Sequence, residues 1–113
     1  MELKDIIDIQ KIFDTSHNKN FNWAEDITEE NLQGLQFLTL SLAGEVGELV
    51  NCVKKVIRGD EKFESSKVKI KEELTDVFIY TIKLAYQMNI DLEESYLQKL
   101  EINKTRFKSF EDI

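Results

Sequence analysis

Four carboxylates stand at spacings that can do chemistry. Glu45 and Glu48 lie in LAGEVGELVNCVKKVIRGD (42–60), and Glu73 and Asp76 in KIKEELTDVFIY (69–80). Three residues apart on a helix is about 60° around its axis, so each pair shares a face. Leu42, Val46, Leu49, Val53 and Val56 follow core spacing, which puts Glu45 inside an apolar stripe. Glu73 falls likewise between Ile70 and Val77, and Tyr80 lies one turn beyond Asp76. Two antiparallel helices can therefore aim all four carboxylates at one point. Gathering anions in apolar surroundings is prohibitive unless something neutralises them. No lysine or arginine interrupts either stripe closely enough to pair with all four. A hard divalent cation meets the need: magnesium, or manganese in its place, takes carboxylate oxygens, waters and substrate phosphates.

The rest of the composition narrows the classes. At 113 residues the chain is expected to be one domain, 1–113, with 42% apolar and 33% charged residues marking a globular protein. A formal net charge of −7 argues against a nucleic-acid binder, which needs a basic footprint, but leaves room for a small phosphorylated ligand arriving with magnesium. The single cysteine, Cys52, cannot pair within the chain, so a reducing compartment is expected. No apolar run approaches the roughly 18–20 residues of a membrane span, and MELKDIIDIQ is unlike a signal peptide. The expected location is cytoplasmic.

The elements that must position the carboxylates are helices. There is no proline, and strand alternation is absent. Apolar spacing at Leu3, Ile6, Ile7, Ile9 and Phe13 predicts a first helix over about residues 2–15. HNKNFNWAED (17–26) reads as a loop carrying two aromatics. Thr28 is the expected N-cap of a long helix over 29–57, ended by Arg58-Gly59-Asp60. Ser65 or Ser66 is expected to cap a third helix reaching about Met88, with Asn89 in the left-handed exit position. Asp91 with Glu94 forms a capping-box pattern opening a fourth helix to about residue 108. Short connections between four helices predict an all-α bundle. In the third helix Val77, Phe78, Ile79, Tyr80, Ile82, Leu84 and Ala85 leave little polar face, so further copies of the chain are expected to complete the bundle.

E-x-x-E followed by E-x-x-D on the next helix resembles the MazG-like nucleoside triphosphate pyrophosphohydrolases of the all-α NTP pyrophosphatase superfamily. NIDLEES and KLEINKTRF, farther along, strengthen the likeness. The resemblance implies a dimer or tetramer and Mg²⁺-dependent cleavage between the α- and β-phosphates of a nucleoside triphosphate. It places the metal ligands at Glu45, Glu48, Glu73 and Asp76, with Glu45 or Glu48 available as the base. Tyr80 resembles an active-site tyrosine of the dCTP pyrophosphatase branch, and Trp23 a base-pocket tryptophan there. A second aromatic of that branch is replaced by Lys55, which leaves the preferred base open. Lys99, Asn103 and Arg106 share a face of the fourth helix, and the family carries similar residues for phosphate contact. The competing readings are a di-metal bundle, which wants Glu-x-x-His pairs that His17 cannot supply, and a helical bundle that binds nucleotides or partners without catalysis.

Overall fold

The computed structural model describes residues 1–112. Four helices follow one another: α1 (Leu3–Thr15), α2 (Leu32–Ile57), α3 (Phe63–Gln87) and α4 (Leu92–Arg106), then a 3₁₀ turn over Lys108–Phe110. There is no strand among the described residues. None of these helices is long and apolar enough to cross a membrane.

The helix boundaries follow from local hydrogen bonding. The Glu2 N–H donates to Asp5 Oδ2 at 2.8 Å and closes the start of α1. α2 begins at Leu32, three residues later than its sequence suggests, because Thr28 is spent on a turn of its own. Its Oγ1 accepts from the Glu30 N–H at 3.3 Å, and its carbonyl accepts from the Asn31 N–H at 3.0 Å. A threonine that serves a local turn cannot also cap the helix beyond it. α3 starts earlier than its serines predict. Ser65 Oγ donates back to the Lys62 carbonyl, and buried Ser66 Oγ donates to Glu61 Oε2, so both hydroxyls work inside the first turn. The exits are as expected: Gly59 has φ 82° and Asn89 φ 56°. Asp91 Oδ1 accepts from the Glu94 N–H at 3.0 Å at the head of α4.

α2 and α3, joined by the short turn at 58–62, form an antiparallel hairpin that is the main body of the chain, and α1 packs along α3. α4 rests chiefly on the 3₁₀ turn that follows it, and no residue of it is buried. The buried apolar set is small: Leu38, Cys52, Ile82 and Ala85. The chain exposes 8885 Å², against about 6,450 Å² for a compact monomer of its mass. Its radius of gyration is 17.5 Å, against roughly 13 Å for a compact chain near this length. One copy of this fold is therefore open, with Ile57, Tyr96, Ile102 and Phe110 standing in solvent.

Because so few side chains are fully enclosed, each carries much of the stability. Ile82 is 1% exposed, and Ile82→Ala should lower the unfolding free energy by about 2–5 kcal/mol, read from urea titrations.

Candidate functional site

The middle of the α2–α3 hairpin brings three carboxylates together. Glu45 from α2 and Glu73 and Asp76 from α3 each offer an oxygen within 4.8 Å of the others. All three are half-buried. Glu45 Oε2 and Glu73 Oε2 are enclosed without any hydrogen-bond partner. Among the described residues, no ion pair reaches the group. Glu48 stands exposed outside the trio, yet acts on it. Burial pushes the Glu45 carboxyl above its ordinary value, and repulsion from Glu48 and Asp76 adds to that. Glu73 is raised first by a hydrogen bond shared with Glu48, then by burial and by the charges of Glu48, Asp76 and Glu45. All-oxygen donors on rigid helices, two of them buried without partners, fit a hard divalent cation.

A cleft of 460 Å³ runs from Glu45 and Asp76 past Tyr80 to Lys83, with α1 as its other wall. At its far end is a buried polar centre that sequence reasoning missed. Asp14 is 2% exposed and Lys83 7%. Lys83 Nζ donates to Asp14 Oδ1 at 3.3 Å, Gln10 Nε2 donates to the same oxygen at 3.0 Å, and Tyr86 Oη donates to Oδ2. Burial, and then the hydrogen bond to Asp14, hold the Tyr86 phenol well above its usual range. The signal was present in the sequence: Lys83 is a lone cation in IYTIKLAY, an otherwise apolar helical run.

Trp23 packs into an aromatic cluster. Its ring centroid lies 4.6 Å from Phe21 and 5.9 Å from Phe37, and Phe21 is 5.7 Å from Phe37. These rings wall a 380 Å³ pocket whose polar lining is Asn22, Glu25, Asn31, Gln33 and Gln87. The loop is held to the end of α3, since Gln87 Nε2 donates to the Trp23 carbonyl and the Ile27 N–H to the Gln87 carbonyl. Lys83, at the end of the cleft, has its Nζ 5.3 Å from the Trp23 ring and 5.6 Å from the Tyr80 ring. Phe37 and Gln87 were not foreseen; Phe37 sits eight residues before Glu45, two turns back on α2. On α4, Lys99 and Arg106 are exposed and Asn103 half-buried, and none of the three lines the cleft or the pocket.

Residues 33–109 match the MazG nucleotide pyrophosphohydrolase domain. The chain belongs to that family. It is 33% identical to the Gene 37 protein of Mycobacterium phage L5 over 68% of this chain and 72% of that protein. It is 35% identical to human dCTP pyrophosphatase 1 over 62% of this chain, and 32% identical to the rat protein over the same share. The chain spans 44% of the length of those two relatives. No solved structure matches it. The matched span takes in α2, α3 and α4, so it holds every carboxylate of the cluster and leaves Asp14 and Trp23 outside.

The raised carboxyls have a consequence for stability. Glu45 and Glu73 both titrate above 4.5 when folded. The folded state thus binds more protons than the unfolded one over the window above that value. Stability fully present below it is lost as pH rises through the folded values. In chelator, the melting temperature should fall from acid toward neutral pH, and Glu73→Gln should flatten that slope. A wild-type curve that rises over the window would contradict the clustering.

Proposed function

We propose that the chain is a Mg²⁺-dependent nucleoside triphosphate pyrophosphohydrolase that yields a nucleoside monophosphate and pyrophosphate, serving nucleotide-pool housekeeping in the cytoplasm. The observation carrying this reading is the unpaired carboxylate trio at mid-hairpin, in a chain of the MazG family. Glu45, Glu73 and Asp76, with Glu48 beside them, would hold Mg²⁺, or Mn²⁺ in its place. When bound, the cation supplies charge neutralisation at the phosphates and makes a nearby water more acidic. Glu45 or Glu48 takes the proton of the attacking water, the raised carboxyl of Glu45 being the better matched to that work. Tyr80 lines the cleft next to the trio and orients the nucleoside. The base stacks on the Trp23 cluster, where the amides of Asn22 and Gln87 can read its edge.

Lys99, Asn103 and Arg106 serve the phosphate tail in a homo-oligomer, dimer or tetramer, rather than within one chain. The excess surface of the single copy and the unburied α4 support that assignment. A helix that buries nothing of its own and carries exposed Tyr96, Leu97 and Ile102 needs a neighbour to cover it. The relatives named dCTP pyrophosphatase support a deoxynucleoside triphosphate as substrate.

Three outcomes check this reading. Asp76→Ala should cut turnover at least about a thousandfold, since it removes a ligand of the main source of charge stabilisation. Chromatography should show pyrophosphate and a monophosphate as wild-type products; orthophosphate with a diphosphate would refute the cleavage position. Light scattering at micromolar concentration should give a mass at least twice that of one chain, and a monomer would refute the shared site.

A further inference from the structure

Lys83 is buried at a cost that packing does not explain. Its side chain is 9% exposed and that of its partner Asp14 3% exposed. Exchanging a buried ion pair for apolar residues of similar volume is often neutral or stabilising, so holding α1 on α3 does not require one. An ammonium has three N–H donors, and among the described residues the protein takes one of them, at Asp14 Oδ1. Both oxygens of Asp14 are engaged by contrast, with Gln10 and Lys83 donating to Oδ1 and Tyr86 to Oδ2. The donors left over belong to Lys83.

Where those donors lie decides what they meet. Lys83 is seven residues beyond Asp76 on the same helix face, about 10 Å along the axis. That is the reach from a phosphate to the far edge of its base. Its Nζ sits near the Tyr80 ring, which lines the carboxylate cleft with it, and near the Trp23 ring, which walls the aromatic pocket. Its charge is balanced by Asp14, so the pair is neutral and does not draw a triphosphate tail away from the carboxylates.

We propose that Lys83 reads the base, its ammonium donating to a nucleobase carbonyl oxygen so that triphosphates of carbonyl-bearing bases are selected over adenine. This rests on the pyrophosphohydrolase reading above. Cytosine, thymine and guanine each carry a carbonyl oxygen and adenine carries none. A site with a buried donor rejects the analogue that leaves it unpaired. Asp14 is the positioning residue, holding the ammonium near both rings, and Tyr86 and Gln10 hold Asp14.

The test uses dCTP, dTTP, dGTP and dATP with the wild type, Lys83→Met, and the pair Asp14→Asn with Lys83→Met. The pair leaves no buried charge behind and keeps the experiment interpretable where Lys83→Met alone fails to fold. Wild type should favour at least one carbonyl-bearing base over dATP by tenfold or more in kcat/KM. Loss of Lys83 should raise KM for that substrate by about ten- to a hundredfold, leave its kcat within a few-fold, and leave dATP no worse or improved, since the donor that adenine leaves unpaired is gone. An equal loss on all four nucleotides, dATP included, would mean a structural role and overturn the proposal; so would an unaltered panel. Where the wild type hydrolyses none of the four, the activity reading fails and the same panel is read as shifts in melting temperature. Selective loss of the carbonyl-base shift in the variants upholds Lys83, and no wild-type shift with any nucleotide refutes both readings.

Discussion

Mutual repulsion among carboxylates across the α2–α3 interface is the constraint to which the rest of the molecule answers. Like charges within 4.8 Å of one another in half-buried surroundings push the two helices apart. The hairpin resists because both helices satisfy their own backbone at mid-length and because apolar contacts lie on either side of the trio. Leu38 sits seven residues before Glu45 on α2, and Ile82 and Ala85 six and nine beyond Asp76 on α3. Antiparallel pairing brings these to one end of the cluster, while Cys52, seven residues after Glu45, lies toward the other. The four most enclosed apolar side chains thus bracket the most repulsive spot in the fold.

The cleft sets two polar groups at its ends and the fold treats them oppositely. Both oxygens of Asp14 are engaged by three donors, one of them a cation. The carboxylate trio has no cation and two enclosed oxygens without partners. A satisfied network fixes geometry, and an unsatisfied one has affinity to spare for something that arrives. Their placement along one face of α3, with Tyr80 between, makes the cleft a graded path from unpaired negative charge to a neutral ion pair.

The sequence was informative where a single helix carries the signal. The all-α class, the order of the helices, the left-handed exit at Asn89 and the cap at Asp91 all depend on contacts within a few residues. The pairing of Glu45 with Glu73 and Asp76 was legible because three-residue spacing on two helical faces is periodic. What stayed hidden was what one element does to a distant one. Thr28 fits a helix cap by sequence, and its competing turn leaves no periodic trace. The Asp14–Lys83 pair spans 69 residues of sequence, and although Lys83 stands out in its apolar run, nothing local names Asp14 as its partner. Glu48 matches its partner Glu45 in spacing and yet lies exposed, a difference that the motif itself does not carry.

The same long span shapes how the molecule assembles in time. α2 and α3 are joined by a tight turn, so their pairing is local and closes little chain entropy. α1 has to close a far longer loop before it gains anything, and its main attachment is polar, made of groups that water solvates well in the open state. Its outward residues Ile9, Ile12 and Phe13 are more than half exposed and add little grip. Opening of the N-terminal helix is thus a local event that the hairpin survives, since α2 and α3 pack on each other without it. Each such departure removes one wall of the cleft, while the three carboxylates keep their own supports on the hairpin.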